Sequence, residues 1–354
     1  MFKTKDYICS VPFTALEVQE QSNYLCCASW LLKHLPKSNS VLESWNSKEA
    51  NEIRESILDG SYRYCDDTQC PFLSQVKVEG NRGVNNPLVH RGNISSILKD
   101  KINNFKNNRL YPEIVQFSFD RSCNLKCPSC RIDFITSTGK KLKQVEATIE
   151  EIESYFSFNI KSLYITGSGD PFTSPSFRNF LRNFDKSKYP KLRNIHLHTN
   201  ATKWNKKMWN SMKNIHPYVK SCEISIDAGT KETYETKTRL GGNWDELNRN
   251  LKFISTINTL KIIKTSFVVQ QSNYKEMEIF YNNMVSYFGD RSQIFFGKIN
   301  NWGTFSEEEF NTQKIWDKTH PEHLEFLEIL NKVLPREFIL SNMKEFIKEK
   351  TKLI

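Results

Sequence analysis

The sequence has no apolar run long enough to span a bilayer, and its first residues contain no short apolar stretch of the kind that directs secretion. These two absences predict a cytoplasmic protein with no membrane partner. Blocks of like charge are missing as well. Lys and Arg outnumber Asp and Glu by 50 to 40, a net charge of +10, yet the basic residues are spread along the chain, so nucleic acid is not expected as a partner. Nor is there an even set of cysteines. Nine are present, and their crowding at metal-ligand spacings speaks against a secreted disulfide framework and for a reducing compartment. Length is not lacking: 354 residues can bury a full core and carry more than one domain.

Cys123, Cys127 and Cys130 stand as C-x3-C-x2-C after the apolar run from Ile114 to Phe119. Such a spacing would arise in roughly 0.6% of shuffled chains with this cysteine content, so chance is a poor explanation. Three thiolates on so short a loop can wrap three corners of a [4Fe-4S] cluster and leave the fourth iron open to a substrate or cofactor. A structural zinc site would want a fourth ligand close by, and no His or Cys follows within easy reach.

With this triplet the chain resembles the radical S-adenosylmethionine (radical SAM) superfamily, and the resemblance continues through the middle of the sequence. Leu163 to Pro171, a strand running into the turn Gly167-Ser168-Gly169-Asp170, is similar to the family's GGEP segment. Thr199-Asn200 ends the next strand where the family typically has Thr-Asn-Gly, and Ala201 replaces that glycine. Glu223 to Ala228 and the stretch from Thr233 to Gly242 resemble the fourth strand and its loop.

The alternation of elements agrees independently. Strand patterns near 114–119, 163–166, 194–198, 222–227, 262–269 and 293–298 alternate with helical patterns at 149–156, 244–257 and 275–287. Repeated βα units build a parallel sheet or barrel whose ligands sit at the carboxyl ends of the strands, where every motif above falls. The expected fold is α/β, a partial (β/α)6 barrel over 106–303, with a linker over 76–105 and a mostly helical segment over 304–354.

Five further cysteines, Cys9, Cys26, Cys27, Cys65 and Cys70, precede residue 75, set off by the polar stretch from Glu79 to Asn86. This region, 1–75, resembles the auxiliary-cluster modules called SPASM or twitch, in which four cysteines hold a second [4Fe-4S] cluster. The resemblance implies Cys9, Cys26, Cys65 and Cys70 as ligands, with Cys27 able to replace Cys26. The module here precedes the barrel, whereas it usually follows it. Zinc also accepts four thiolates at loose spacing and stands as the other reading of this group.

The resemblance implies reductive cleavage of S-adenosylmethionine to a 5'-deoxyadenosyl radical that abstracts hydrogen from a peptide or small-metabolite substrate. A second cluster would assist substrate binding or electron transfer, and a donor such as flavodoxin or ferredoxin would supply electrons. Gly167, Ser168, Gly169 and Asp170 are implied to receive the cofactor's methionine end, with Asn200 at the neighbouring strand end. Ser225 is a candidate for ribose or carboxylate contact, Arg239 for a bidentate pair with the carboxylate, and Glu223 for a base lining the substrate cavity. Cys222, alternating with Glu223, is expected in the core. The competing reading is an iron-sulfur electron-transfer or scaffold protein without radical chemistry, which would have no use for a cofactor-shaped turn at 167–170.

Overall fold

The computed structural model describes residues 7–36, 40–67, 69–70, 73, 89–91 and 96–346. The stretch 79–86 and the last residues of the expected C-terminal segment, 347–354, lie outside them. The chain divides into two compact units. The first comprises Met1–Asp120, Thr138–Ser168 and Asp185–Arg193, and the second Arg121–Ser137, Gly169–Phe184 and Asn194–Ile354.

In the first unit, β1 (Tyr7–Cys9) pairs antiparallel with β4 (Val89–Arg91). A second set of strands contains β2 (Ala15–Gln19), β3 (Asn23–Tyr24), β5 (Ile114–Ser118) and β6 (Ser162–Ile165). Here β3 runs antiparallel to β2, while β2 is parallel to β5 and β5 to β6. Val115 and Phe117 of β5 are fully buried. The helix Gly139–Tyr155 buries Val145, Ile149 and Ile152, spaced so that one stripe faces the interior. Ser47 caps the helix Lys48–Leu58 by accepting from Ala50 N. From that helix the buried Arg54 reaches Pro12 O at 3.0 Å and lies over the Trp45 ring.

The second unit carries five parallel strands: β7 (Asn194–Thr199), β8 (Val219–Ser225), β9 (Ile262–Val269), β10 (Ser292–Lys298) and β11 (Ile339–Ser341). Helices such as Trp244–Ser255 and Met277–Phe288 connect them. Side chains alternate across each strand. Leu197, Cys222, Ile224, Ile263, Phe267 and Phe296 are fully buried on one face, and Phe280 of the helix Met277–Phe288 packs edge-on against Phe296. Cys222 therefore belongs to the core, as its alternation with Glu223 predicts. The opposite face carries His196, His198, Glu223, Ser225 and Lys264.

The six strands expected from the sequence coincide with β5 to β10, and the protein is α/β with mostly parallel strands. Five strands, β1 to β4 and β11, had no counterpart in the sequence reading. Of these, β2 adds to the edge of β5. The last, β11, lies within a segment expected to be mostly helical: after the helices Glu307–Gln313 and His323–Val333 the chain returns to pair with β10. Three residues are too few to display a strand period. Among the described residues no helix is long and apolar enough to cross a membrane.

Candidate functional site

The loop 121–137 of the second unit is tied down on several sides before its cysteines enter the argument. Cys123 N donates to Ile135 O at 2.8 Å, Lys126 N to Leu240 O at 2.9 Å, and Asp170 N to Ser122 O at 2.8 Å. Cys130 N and Arg131 N both donate to Cys127 O at 2.9 Å, a tight turn that brings the second and third cysteines together. Cys123 and Cys127 are buried, whereas Cys130 is exposed.

Each of the three sulfurs meets a different N–H donor. Asn200 Nδ2 lies 3.5 Å from Cys123 Sγ, Arg239 Nη1 3.4 Å from Cys127 Sγ, and Arg131 Nη2 3.4 Å from Cys130 Sγ. Burial pushes the Cys123 thiol up to about 11, with Asp170 adding to the rise and Arg131 opposing it. Burial raises the Cys127 thiol too, against Arg239. Buried thiols that resist ionisation but already face N–H donors fit a group that binds thiolates and carries positive charge of its own. A further observation agrees. The Tyr234 hydroxyl is fully buried and has no hydrogen-bond partner among the described residues, and the charges of Arg239, Cys127 and Asp227 reach it. A [4Fe-4S] cluster with a polar ligand beside it suits this donor set.

Asp170 is fully buried and ties its own turn to the end of β7. Its Oδ2 accepts from Thr199 Oγ1 at 2.6 Å and Asn200 N at 2.9 Å, while Oδ1 accepts from Phe172 N at 3.0 Å and Thr173 N at 3.1 Å. Asn200 is held further by Thr202, whose N and Oγ1 donate to Asn200 Oδ1, and by its own donation to Asn124 Oδ1. Gly169 precedes Asp170 in the second unit. Gly167 and Ser168 fall in the first, where Ser168 Oγ donates to Ser118 O at 2.6 Å and a Cβ on Gly167 would come within 3.0 Å of Gln116 Nε2.

Backbone strain collects at these strand ends. Thr166, Ala201 and Asp227 have φ of +71°, +61° and +58°, a region that non-glycine residues rarely enter. Ala201 occupies the position where the resemblance called for glycine, and its backbone adopts the conformation glycine would.

Arg239 arrives by an unusual route. A helical turn at Lys231–Thr233 continues into a π-helical turn, Tyr234–Thr238, closed by Arg239 N donating to Tyr234 O at 2.9 Å. The guanidinium then bonds Ile226 O through Nε, Cys127 Sγ through Nη1, and Asp227 Oδ2 through Nη2 at 2.6 Å. Arg239 is 9% and Asp227 3% exposed. Burial disfavours the arginine's charge, but Asp227 and Cys127 outweigh it and push its pKa up.

Below the strand ends the second unit presents a polar face. His198 Nε2 meets Ser225 Oγ at 3.0 Å, Ser225 meets Ser266 Oγ at 3.2 Å, Lys264 pairs with Glu223 at 3.0 Å, and His196 Nδ1 meets Ser221 Oγ at 2.8 Å. Burial alone would raise the Glu223 carboxyl, but His198 and Lys264 outweigh it and hold it down to about 2. Burial, with His198 and Lys264 adding to it, pushes His196 down to about 4.

Five further cysteines, Cys9, Cys26, Cys27, Cys65 and Cys70, lie in the first unit. Burial holds the Cys9 and Cys65 thiols up at about 12 and raises Cys26 well above its ordinary value. The four implied ligands also feel one another: Cys70 acts on Cys9, Cys9 and Cys70 on Cys26, and the same two on Cys65. Cys27 is exposed. Four thiol groups are a donor set that both structural zinc and a cuboidal iron-sulfur cluster accept.

The sequence reading missed Arg131, Asn124, Thr173 and Thr202 as parts of this site. A basic residue beside a thiolate ligand was the available signal for Arg131. The other three are recruited by contacts that no local pattern encodes.

Residues 117–280 match the family model described as the Radical SAM superfamily. Among solved structures the chain is similar to Streptococcus suis SuiB bound to S-adenosylmethionine, at 13% identity over 97% of this chain and 73% of that one, with a TM-score of 0.46. It is similar to SuiB bound to the precursor peptide SuiA at 11% identity, over 100% and 75%, with a TM-score of 0.45. TYW1 with a lysine-pyruvate adduct bound aligns at 14% identity, over 62% and 73%, with a TM-score of 0.36. No curated protein matches the chain.

Proposed function

With residues 117–280 matching the Radical SAM superfamily, we propose that this chain is a radical SAM enzyme acting on a peptide or small-metabolite substrate. A [4Fe-4S] cluster on Cys123, Cys127 and Cys130, when bound, would supply the electron that splits S-adenosylmethionine into methionine and a 5'-deoxyadenosyl radical. In this reading the parallel βα units belong to a partial barrel over 106–303, and residues 1–75 serve as an auxiliary module.

The observation that carries the reading is the set of three N–H donors, each on a different cysteine sulfur and each from a different part of the second unit. Asn200, Arg239 and Arg131 would stabilise thiolate charge and fix the direction of each sulfur. Asp170 would hold Asn200 in place through Thr199 and the Asn200 backbone. Asp227 keeps Arg239 extended toward Cys127, so the guanidinium orients the site without swinging into solvent. Glu223, ionised and paired with Lys264, is a poor proton acceptor near neutrality. We assign it to charged substrate anchoring on the polar face, beside Ser225.

Cys9, Cys26, Cys65 and Cys70 are proposed to hold a second [4Fe-4S] cluster, supported by their mutual electrostatic influence. A small redox protein such as flavodoxin or ferredoxin is the proposed electron donor.

The test is anaerobic reconstitution with iron and sulfide, then incubation with dithionite and S-adenosylmethionine. The parent should form 5'-deoxyadenosine and methionine, and Cys127→Ala should form neither. A parent that holds iron yet leaves S-adenosylmethionine intact would favour the electron-transfer reading.

A further inference from the structure

This inference rests on the proposed role of Cys123, Cys127 and Cys130 and concerns one of the three donors that face their sulfurs. Arg131 directly follows Cys130 and is only 5% exposed. A long cationic side chain folded into the protein gives up hydration and rotamer freedom that an outward-pointing arginine would keep. Its guanidinium is anchored on one side, Nη1 donating to Arg121 O at 2.6 Å, and this fixes the planar fork so that Nη2 faces Cys130 Sγ at 3.4 Å. Asn200, the donor on Cys123, is by contrast a neutral amide.

We infer that Arg131 is a positioning residue that sets the redox poise of the cluster, its fixed cation and sulfur-directed N–H favouring the form that carries the additional electron. Reduction brings one electron from an external donor onto the cluster. The net charge becomes one unit more negative, and no bond forms or breaks. A cation held beside a ligating sulfur stabilises the reduced state more than the oxidised one, so it raises the reduction potential. It thereby eases the loading of the electron that S-adenosylmethionine later receives. Lysine could not reproduce this arrangement, because a single ammonium cannot hold Arg121 O and direct a second, rigidly placed N–H at the sulfur.

The test uses the full chain, reconstituted anaerobically and titrated with dithionite while electron paramagnetic resonance is recorded. Only the signal that changes on adding S-adenosylmethionine is followed, which separates the cluster with an open iron from any second cluster. In Arg131→Gln the ratio of reduced to oxidised cluster, at the potential where the parent is half reduced, should fall about tenfold, equivalent to about 59 mV for one electron. Arg131→Lys should shift in the same direction by less. Unchanged iron content and visible absorbance would show that the cluster has assembled, and Arg131→Lys alone decides if the glutamine variant does not load. Reduction of the loaded variant at the parent potential would overturn the inference. A parent with no signal responsive to S-adenosylmethionine would instead remove the proposed function beneath it.

Discussion

Lowering the pH from 7 to 5 should weaken the fold through one identifiable side chain. His196 lies on the polar face of the second unit, hydrogen-bonded to Ser221, and burial together with His198 and Lys264 lowers it from 6.5 to about 4. A base whose folded pKa is depressed binds fewer protons folded than unfolded, so stability is lost as pH falls through the window between about 6.5 and about 4. The full cost at 1.36 kcal/mol per pH unit is about 3 kcal/mol, of which about 2 kcal/mol falls between pH 7 and 5. Glu223 does not confuse the measurement. Its depressed pKa contributes stability that is present above its ordinary 4.5 and lost only as pH falls toward about 2. Urea unfolding followed by circular dichroism, on the parent and His196→Gln at both pH values, isolates the histidine because every other titrating group is shared. The parent should lose about 2 kcal/mol more than the variant over this interval. Equal losses would show that His196 is not held neutral by its surroundings, and the reasoning about the polar face would fail with it.

Three further outcomes follow from the same geometry. Asp170→Asn replaces one acceptor oxygen by a donor facing N–H or O–H groups and should cost about 2–3 kcal/mol, measured as a lower urea midpoint. Ala201→Gly should change stability by less than about 1 kcal/mol, since relief of left-handed strain offsets a lost buried methyl and a freer unfolded chain, whereas Ala201→Val should lose more than about 2 kcal/mol; thermal unfolding of the pair decides. After anaerobic reconstitution the parent should hold about eight irons per chain and Cys65→Ala/Cys70→Ala about four, as two four-iron clusters require; a parent with about four irons plus zinc would make the N-terminal group structural.

The strands that bear the site were legible because each is a run of β-branched and aromatic residues ended by a polar turn. The boundaries at Ile114, Asn194 and Ile262 coincide with what that pattern gives. The cysteine spacing was equally local. What could not be read is whatever depends on chain segments far apart in sequence: β2 lying beside β5 across about a hundred residues, Asn200 reaching Cys123, and Arg239 reaching Cys127. Ala201 illustrates the boundary between the two. Its residue type argued against a glycine-like conformation, and only the Asp170 bonds to Thr199 and Asn200, formed across the loop, account for a backbone held in that strained region.

The π-helical turn at Tyr234–Thr238 has a consequence for how this segment can change over time. Such a turn holds one more residue than an α-helical turn of the same span, and each residue advances a helix by about 100°. The heading of Arg239 toward Cys127 and Asp227 is thus set by the number of residues since Thr233 more than by their identity. Glu235, Thr236 and Lys237 are open to substitution as far as that heading is concerned, and loss of one residue among them would let the turn relax to α-helix, four residues at about 100° each sweeping the span that five sweep now. Drift in this stretch should therefore proceed by exchange of letters or by loss of a single residue, whereas gain of one more would turn the guanidinium away.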